Sequence, residues 1–132
     1  MTDEELKIAR AFVACGRWRW MPGMMTEGWR LTCVSLHDGA WSATSTLAHR
    51  EYHYPTLPDL NDPCTRGGIL QVVANAHGVS IDDVHVLRTT GRVWSVWIFR
   101  PDDSSYRVAT HLPSRVEALL RALQAAPEVQ DE

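Results

Sequence analysis

Two histidines in the middle of the chain have a spacing that metal sites use. His49 and His53 are four residues apart, which would place two ligands on one face of a helix. However, the surrounding HREYHYP ends in a proline and lacks helix-start residues, and Glu51 does not directly follow the first histidine as it does in the HExxH pattern. We therefore interpret both histidines as structural or exposed side chains, and we predict neither a metal nor another cofactor.

A second candidate for chemistry is Cys64, which the sequence places at the second position of a helix. The helix dipole favours a thiolate there, but a nucleophilic cysteine also needs a histidine within hydrogen-bond reach. His77 is at the far end of the same helix, about 20 Å away at the standard rise. His37, His49 and His53 stay open as alternative partners. The sequence favours a small buried cysteine beside a capping Asp62, and no catalytic residue is predicted.

An alternative function stays open for this region. A small-ligand or metal-binding domain, or an enzyme, would use the loop 49–62 and the start of the helix that follows it. The candidate ligand-site residues are His49, His53, Asp59, Asp62 and Cys64.

Tryptophan is unusually frequent, with six residues in a chain of 132. Its large area and single N–H donor suit it to cores and to interfaces. We expect Trp94 and Trp97 to belong to the core. Trp18 and Trp20 lie beside a methionine-rich Pro-Gly turn and are expected to be partly exposed, because flexible methionines next to rigid indoles form an adaptable contact surface. The predicted partner-binding surface comprises Arg17, Trp18, Arg19, Trp20, Met24 and Met25.

Composition excludes several other classes of function. The formal charge of −3 and the absence of a basic run argue against nucleic-acid binding, although arginines next to tryptophans could in principle hold a single strand. No segment has the roughly 20 apolar residues of a membrane span, and no signal peptide is recognisable. Three widely spaced cysteines do not form a disulfide framework, so a soluble protein of a reducing cytosol is expected.

Three segments combine a capping residue, apolar residues at helical spacing and a glycine or proline at the end. The first and the third begin with a Ser/Thr-x-x-Glu capping box, and the second begins with an aspartate followed by proline. We expect the strands to pack on this second, central helix. The predicted helices run from Thr2 to about Cys15, from Asp62 to Gly78 and from Ser114 to Pro127.

Alternating or β-branched segments between turn residues predict six strands. In RWRWM, the two tryptophans would share one face of a strand. The segment VWSVWIF is apolar on both faces except at Ser95 and is predicted to be a central strand that is covered on both sides. The predicted strands are 17–21, 29–35, 41–47, 84–89, 93–99 and 106–110.

The resulting order is α-β-β-β-α-β-β-β-α. Helices interspersed with hairpins favour an α+β fold with a mostly antiparallel sheet covered by helices. At this length, one globular domain over residues 1–127 is expected, followed by a frayed tail at 128–132.

Two of these segments, in order, resemble a group of small phage and prophage proteins of unknown function. The motifs are WRWMPGM at 18–24 and LPDLNDPCTRGGIL at 57–70, where that group has an LPDLxDPxTxGxLL-like stretch, followed by a helix comparable to VEALLRALQAA. The chain departs from the group in having two glycines at 67 and 68. The resemblance implies a phage or prophage accessory protein that acts on a bacterial host or phage protein, and it supplies no site residues. The leading hypothesis is therefore a non-catalytic protein-binding or inhibitor-like module, whose oligomeric state the sequence leaves open.

Overall fold

A computed structural model describes residues 1–26, 29–34, 41–45, 49–50, 57–89, 91, 93–100 and 105–127. The chain divides into two compact units. The first comprises Met1–Ala14 and Trp18–Gly68, and the second comprises Cys15–Arg17 and Ile69–Glu132. The boundary along the chain thus falls inside the central helix.

The first unit begins with α1 (Asp3–Ala14), which ends close to the predicted position. Its first turn has the expected cap, because the Glu5 N–H donates to Thr2 Oγ1 at 3.2 Å and the Thr2 hydroxyl donates to the Glu5 carboxylate. Ile8, Ala9 and Phe12 form the buried face of this helix at i, i+1 and i+4. The predicted helix is therefore confirmed, and the apolar spacing marks Ala9 and Phe12 as buried, but Val13 on the predicted buried face is 37% exposed.

A four-stranded antiparallel sheet of the first unit has the order β1-β2-β3-β4. Its strands are β1 (Met25–Thr26), β2 (Trp29–Val34), β3 (Trp41–Ser45) and β4 (His49–Arg50). The second and third strands lie where the sequence placed them. The predicted Asp38-Gly39 turn between them lies outside the described residues.

The strand predicted at residues 17–21 is wrong. Residues 18–21 have no regular secondary structure, and the partner of β2 comes from further along the chain, where Met25 pairs with Arg30. The Gly23 N–H donates to the Leu31 carbonyl, and the Leu31 N–H donates to Met24. The predicted Pro-Gly turn is confirmed, because the Met24 N–H reaches the Met21 carbonyl and Gly23 has a φ of 95°. The turn leads directly into β1, which pairs with β2 in place of the segment that contains Trp18 and Trp20.

The central helix, α2 (Pro63–His77), has the predicted boundaries. Asp62 caps its first turn, since its carboxylate accepts a hydrogen bond from the Thr65 N–H at 2.9 Å. At the other end Gly78 has a φ of 71°, and the N–H groups of Gly78 and Val79 donate to the carbonyls of Asn75 and Ala74. This paired closure is a Schellman motif, which requires a left-handed residue at position 78.

The second unit contains a three-stranded antiparallel sheet with the order β5-β6-β7. Its strands are β5 (Val84–Thr89), β6 (Val93–Phe99) and β7 (Ser105–Leu112), and a single 3₁₀ turn, Ile81–Asp83, leads into β5. The final helix, α3 (Arg115–Gln124), is capped by Ser114 as predicted and contacts all three strands. The helix on which these strands pack is therefore α3, not the central helix.

The β6 strand is central in the sheet, as predicted, but it is not covered on both sides. Val84 pairs with Ile98, and their side chains lie with Val96 on a buried face. On the opposite face, Phe99 is 38% exposed and Trp97 is half-buried. A run of apolar residues thus has one face in the core and one face only partly covered.

The α+β class, the predicted alternation of helices and strands and the antiparallel pairing are confirmed. The extent of one domain over residues 1–127 stays a prediction, and the tail 128–132 lies outside the described residues. In the part of the chain that the structure describes, no helix is long and apolar enough to cross a membrane.

Candidate functional site

The predicted partner surface is not exposed at two of its central residues. Trp18 is only 6% exposed, and its ring lies 5.5 Å from the ring of Phe12 on α1. Met24 is fully buried. The expectation that Trp18 is partly exposed, and the assignment of Met24 to a contact surface, are therefore wrong. Both side chains belong to the core of the first unit, together with Phe12 and Leu31.

The side chain of Met24 packs closely against the backbone of Gly68. A Cβ atom added at Gly68 would lie 2.8 Å from Met24 Cε and 3.1 Å from its Cγ. The neighbouring Gly67 has no atom within 4 Å of the corresponding position. The close packing that the double glycine suggests therefore applies to the second glycine alone, which makes room for a buried methionine.

The other residues of the predicted surface are more accessible. Arg19 is exposed and donates from Nη1 to the Trp18 carbonyl, and Trp20 is half-buried with its ring edge 5.4 Å from the ring of Trp18. Met25 is also half-buried. Arg17 belongs to the second unit, where its Nε donates to the Pro127 carbonyl at 3.4 Å. The six residues thus do not form one continuous exposed surface.

The most connected polar cluster lies at the start of α2. Arg30 on β2 forms a two-pronged ion pair with Asp62, at 3.0 and 3.2 Å, and donates to the Gly23 carbonyl at 2.7 Å. The fully buried Thr65 hydroxyl donates to the same carboxylate and accepts from the Met25 N–H at 2.8 Å. These bonds connect the Pro-Gly turn, β1 and β2 to the first turn of the helix.

The charges of this cluster stabilise each other. The hydrogen bonds from Arg30 hold the pKa of Asp62 below its usual value, with the Thr65 N–H and hydroxyl acting in the same direction. In return, Asp62 raises the pKa of Arg30. The Asp62 carboxylate accepts four hydrogen bonds from Arg30 and Thr65, which gives it a structural role at the start of α2.

Of the remaining candidates for the alternative ligand site, the structure describes Asp59, Cys64 and the backbone of His49. Asp59 accepts a hydrogen bond from the Asn61 N–H, and the backbone of His49 pairs with Thr44 in the sheet. His53 lies outside the described residues. Among the residues that the structure describes, no group of three or more His, Cys, Asp or Glu side chains is placed to hold a metal ion.

Cys64 differs from its prediction in one respect. It occupies the second helical position as expected, but its side chain is exposed and carries a free thiol. The reason is the direction of the first turn of α2, which buries Thr65 at the neighbouring position and leaves Pro63 and Cys64 on the outside. The interpretation as a buried cysteine is therefore wrong.

One titratable side chain of the second unit is buried outside these sites. His77, 6% exposed, places Nε2 2.8 Å from the carbonyl of Ala122 in the last turn of α3. Burial lowers the pKa of His77, and the charges of Arg100 and Arg17 act in the same direction, while the bond to the carbonyl acts against them. The neutral ring thus supplies a donor to a helix carbonyl that would otherwise lack one.

The clearest exposed apolar feature is one face of the β5-β6 pair. His85 pairs with Trp97 and lies across from Phe99, with ring centroids 4.6 Å apart. Leu87 follows on the same face and is 48% exposed, against 38% for Phe99. Ser95, opposite Leu87, is buried because it is small and lies between larger neighbours. We call His85, Leu87, Trp97 and Phe99 the open sheet face.

Sequence reasoning did not identify the open sheet face or the Arg30–Asp62–Thr65 cluster. The strand period placed Leu87 and Phe99 on one side of their hairpin, but a continuous apolar strand gives no indication of which side lacks a cover. For the cluster, the Asp-Pro-x-Thr pattern predicts the helix cap but gives no indication that Arg30 binds the same carboxylate.

Comparison with protein-family models, with curated proteins and with solved structures returns no match for this chain.

Proposed function

We propose that this chain is a non-catalytic protein-binding module, of the phage or prophage accessory kind that its two motifs resemble, acting on a bacterial host or phage protein in the host cytoplasm. The observation that carries the proposal is the open sheet face, where two large apolar side chains are exposed next to a half-buried tryptophan. Single exposed apolar residues are ordinary on protein surfaces, but a contiguous group with aromatic members is typical of interaction sites.

The composition of this face supports binding over catalysis. Its members are aromatic or aliphatic apart from His85, whose ring is engaged edge-on by Phe99. Aromatic side chains provide large contact areas at a low cost in conformational entropy, and they dominate the energetics of many interfaces. The rigid antiparallel pairing of β5 with β6 fixes their spacing before any partner arrives.

The test compares two variants with equal exposure and different location. Phe99→Ser removes an anchor of the open sheet face, whereas Val13→Ser changes a side chain that is 37% exposed on α1. Each tagged protein is used to capture partners from lysates of candidate bacterial hosts, and the captured protein is then purified and its affinity measured by calorimetry.

The expected result is a discrete partner that binds the original chain and the Val13 variant alike. Loss of one anchor should weaken binding by roughly 30-fold or more, the effect of a side chain that contributes about 2 kcal/mol. Equal binding by the Phe99 variant would show that another surface is used. A small molecule or metal ion retained in native mass spectra, with no protein partner, would support the ligand-binding alternative instead.

A further inference from the structure

The strand β5 forms one edge of the β5-β6-β7 sheet. Six residues of β5 pair with β6, from Val84 opposite Ile98 to Thr89 opposite Val93. Beyond this ladder, the Val84 N–H donates to the Ile81 carbonyl, and within the described part of the chain β5 makes no other backbone hydrogen bond. The outer N–H and C=O groups of β5 are therefore a template for another strand.

The side chains of β5 do not protect this edge. Natural sheets commonly guard an edge with proline, a bulge or a lysine pointing inward. Here β5 pairs with β6 without a register shift, contains no proline, and presents Leu87 at 48% exposure in its middle. An edge of this kind is suited to pairing, and the charges at its two ends identify the partner.

The charges along this edge are opposite at its two ends. Asp82 and Asp83 precede β5, and Arg88 lies near its other end. Asp82 and Arg88 are both exposed, and in the described part of the chain neither forms an ion pair. A strand with an acidic start and a basic end is complementary to itself when it is turned around, because an antiparallel copy brings each acidic end next to a basic end.

We propose that a second copy of this chain pairs with β5, antiparallel and about a two-fold axis through Val86. In this register Val86 faces its own copy, and Leu87 faces His85 of the second copy. Arg88 then lies opposite Val84 of the second copy, which brings its positive charge next to the 3₁₀ turn that carries Asp82 of that copy. The two-fold axis generates this charged contact twice, and the two sheets become one sheet of six strands.

Charge and ladder length exclude the competing registers. Moving the axis back by one residue to His85 would leave only Val84 to Val86 in the ladder, because Ile81–Asp83 form a 3₁₀ turn. Moving the axis by one residue to Leu87 would set Arg88 diagonally against Arg88 of the second copy. Parallel pairing in register would place the two arginines side by side. Both arrangements bring like charges together, which is unfavourable between paired strands. The register through Val86 is thus the one in which the apolar and the charged groups agree.

The expected dimer is weak. Pairing of one short strand buries less surface than stable interfaces do, so we expect dissociation in the micromolar range, on the order of 10–100 µM. Sedimentation velocity of the full chain from about 5 to 500 µM covers this range. Exposed ion pairs are screened by salt, and the dimer should therefore weaken as ionic strength rises.

A charge exchange gives the decisive experiment. Arg88→Asp alone and Asp82→Arg alone should each weaken dimerisation at least roughly tenfold, because each replaces two attractive contacts by two repulsive ones. The double variant Asp82→Arg with Arg88→Asp restores the attraction and should return the dissociation constant to within about threefold of the original. The control Arg10→Asp, on the exposed side of α1, should leave it unchanged.

Several outcomes would overturn this inference. A monomer at all concentrations, a dimer that ignores the single exchanges, or a double exchange that fails to rescue would each do so. If the monomer instead added a strand from a foreign protein at β5, the edge would serve a different partner and the inference would be wrong. The two tests stay distinguishable, because Phe99→Ser changes no residue of β5 and Arg88→Asp changes no residue of the open sheet face, although the dimer brings His85 and Leu87 of that face against their copies.

Discussion

The Asp62 carboxylate holds together the cluster at the start of α2, and its removal should lower the free energy of unfolding. Its side chain is 11% exposed and accepts hydrogen bonds from Arg30, the Thr65 N–H and the Thr65 hydroxyl. We predict that Asp62→Ala lowers the free energy of unfolding by about 2–3 kcal/mol.

Three losses add up to this value. Removing the helix cap costs about 1 kcal/mol. The buried Thr65 hydroxyl loses its acceptor, at a cost of about 1 kcal/mol. The ion pair contributes only about 0.5–1 kcal/mol, because the Arg30 side chain is 39% exposed and its charge is screened by water. At roughly 4 °C per kcal/mol for a chain of this size, the melting temperature should fall by about 8–12 °C.

The assay is urea unfolding monitored by fluorescence, together with calorimetry of thermal unfolding. Asp62→Asn should lose only about 1 kcal/mol, because asparagine still caps the helix while the charge is gone. Asp59→Ala is the matched control, since Asp59 is a nearby acid that accepts one local hydrogen bond. Combining Asp62→Ala with Arg30→Ala should recover part of the cost, with a coupling energy of about 0.5–1.5 kcal/mol.

The effect must also depend on pH. Because the pKa of Asp62 is lowered in the folded protein, its stabilising contribution is complete above the unfolded pKa of about 4 and is lost as the pH falls through the folded value. The difference between the original chain and Asp62→Ala should therefore shrink below about pH 4. A cost below about 0.5 kcal/mol at neutral pH, or zero coupling to Arg30, would refute the assignment of this cluster as the support of α2.

Three further changes test other parts of the fold by the same unfolding measurements. Gly68→Ala should destabilise by about 0.5–1 kcal/mol, because the overlap of the new methyl group with Met24 outweighs the gain in helix propensity. Gly67→Ala has only that gain and should stabilise by about 0.5–1 kcal/mol, and equal effects would contradict the close packing. Gly78→Ala should cost about 1 kcal/mol because an L side chain disfavours the positive φ that closes α2, and no loss would contradict the Schellman closure. His77→Gln should flatten the pH dependence of stability below about pH 6.5. The pKa of His77 is lowered in the folded protein, so protonation favours the unfolded chain in this range. An unchanged pH profile would contradict the burial of a neutral ring.

Local chemistry made the helices predictable. The caps at Thr2, Asp62 and Ser114 are interactions within four residues, and all three form as the sequence indicated. The Gly78 terminus is equally local. The hairpin β5-β6 was also recognisable, because two segments rich in β-branched and aromatic residues are separated only by a short turn with Gly91.

What failed depended on contacts between distant segments. RWRWM has the alternation of a strand, but the edge it would have paired with is taken by Met25, six residues after Arg19. Whether Met24 is buried depends on the absence of a side chain at Gly68, which is far along the chain and carries no periodic signal. The partner of the Asp62 carboxylate likewise comes from β2, which no short-range rule could have selected.

The approach of Met24 to Gly68 has a consequence for how this sequence can evolve. With so little room between them, any larger residue at position 68 demands a smaller or reshaped one at position 24, and neither change is tolerated easily before the other. The two positions should therefore covary as a pair in related sequences, with a bulky residue at one accompanied by a small residue at the other. Position 67 is adjacent in the chain but is free of this constraint, and it should vary independently.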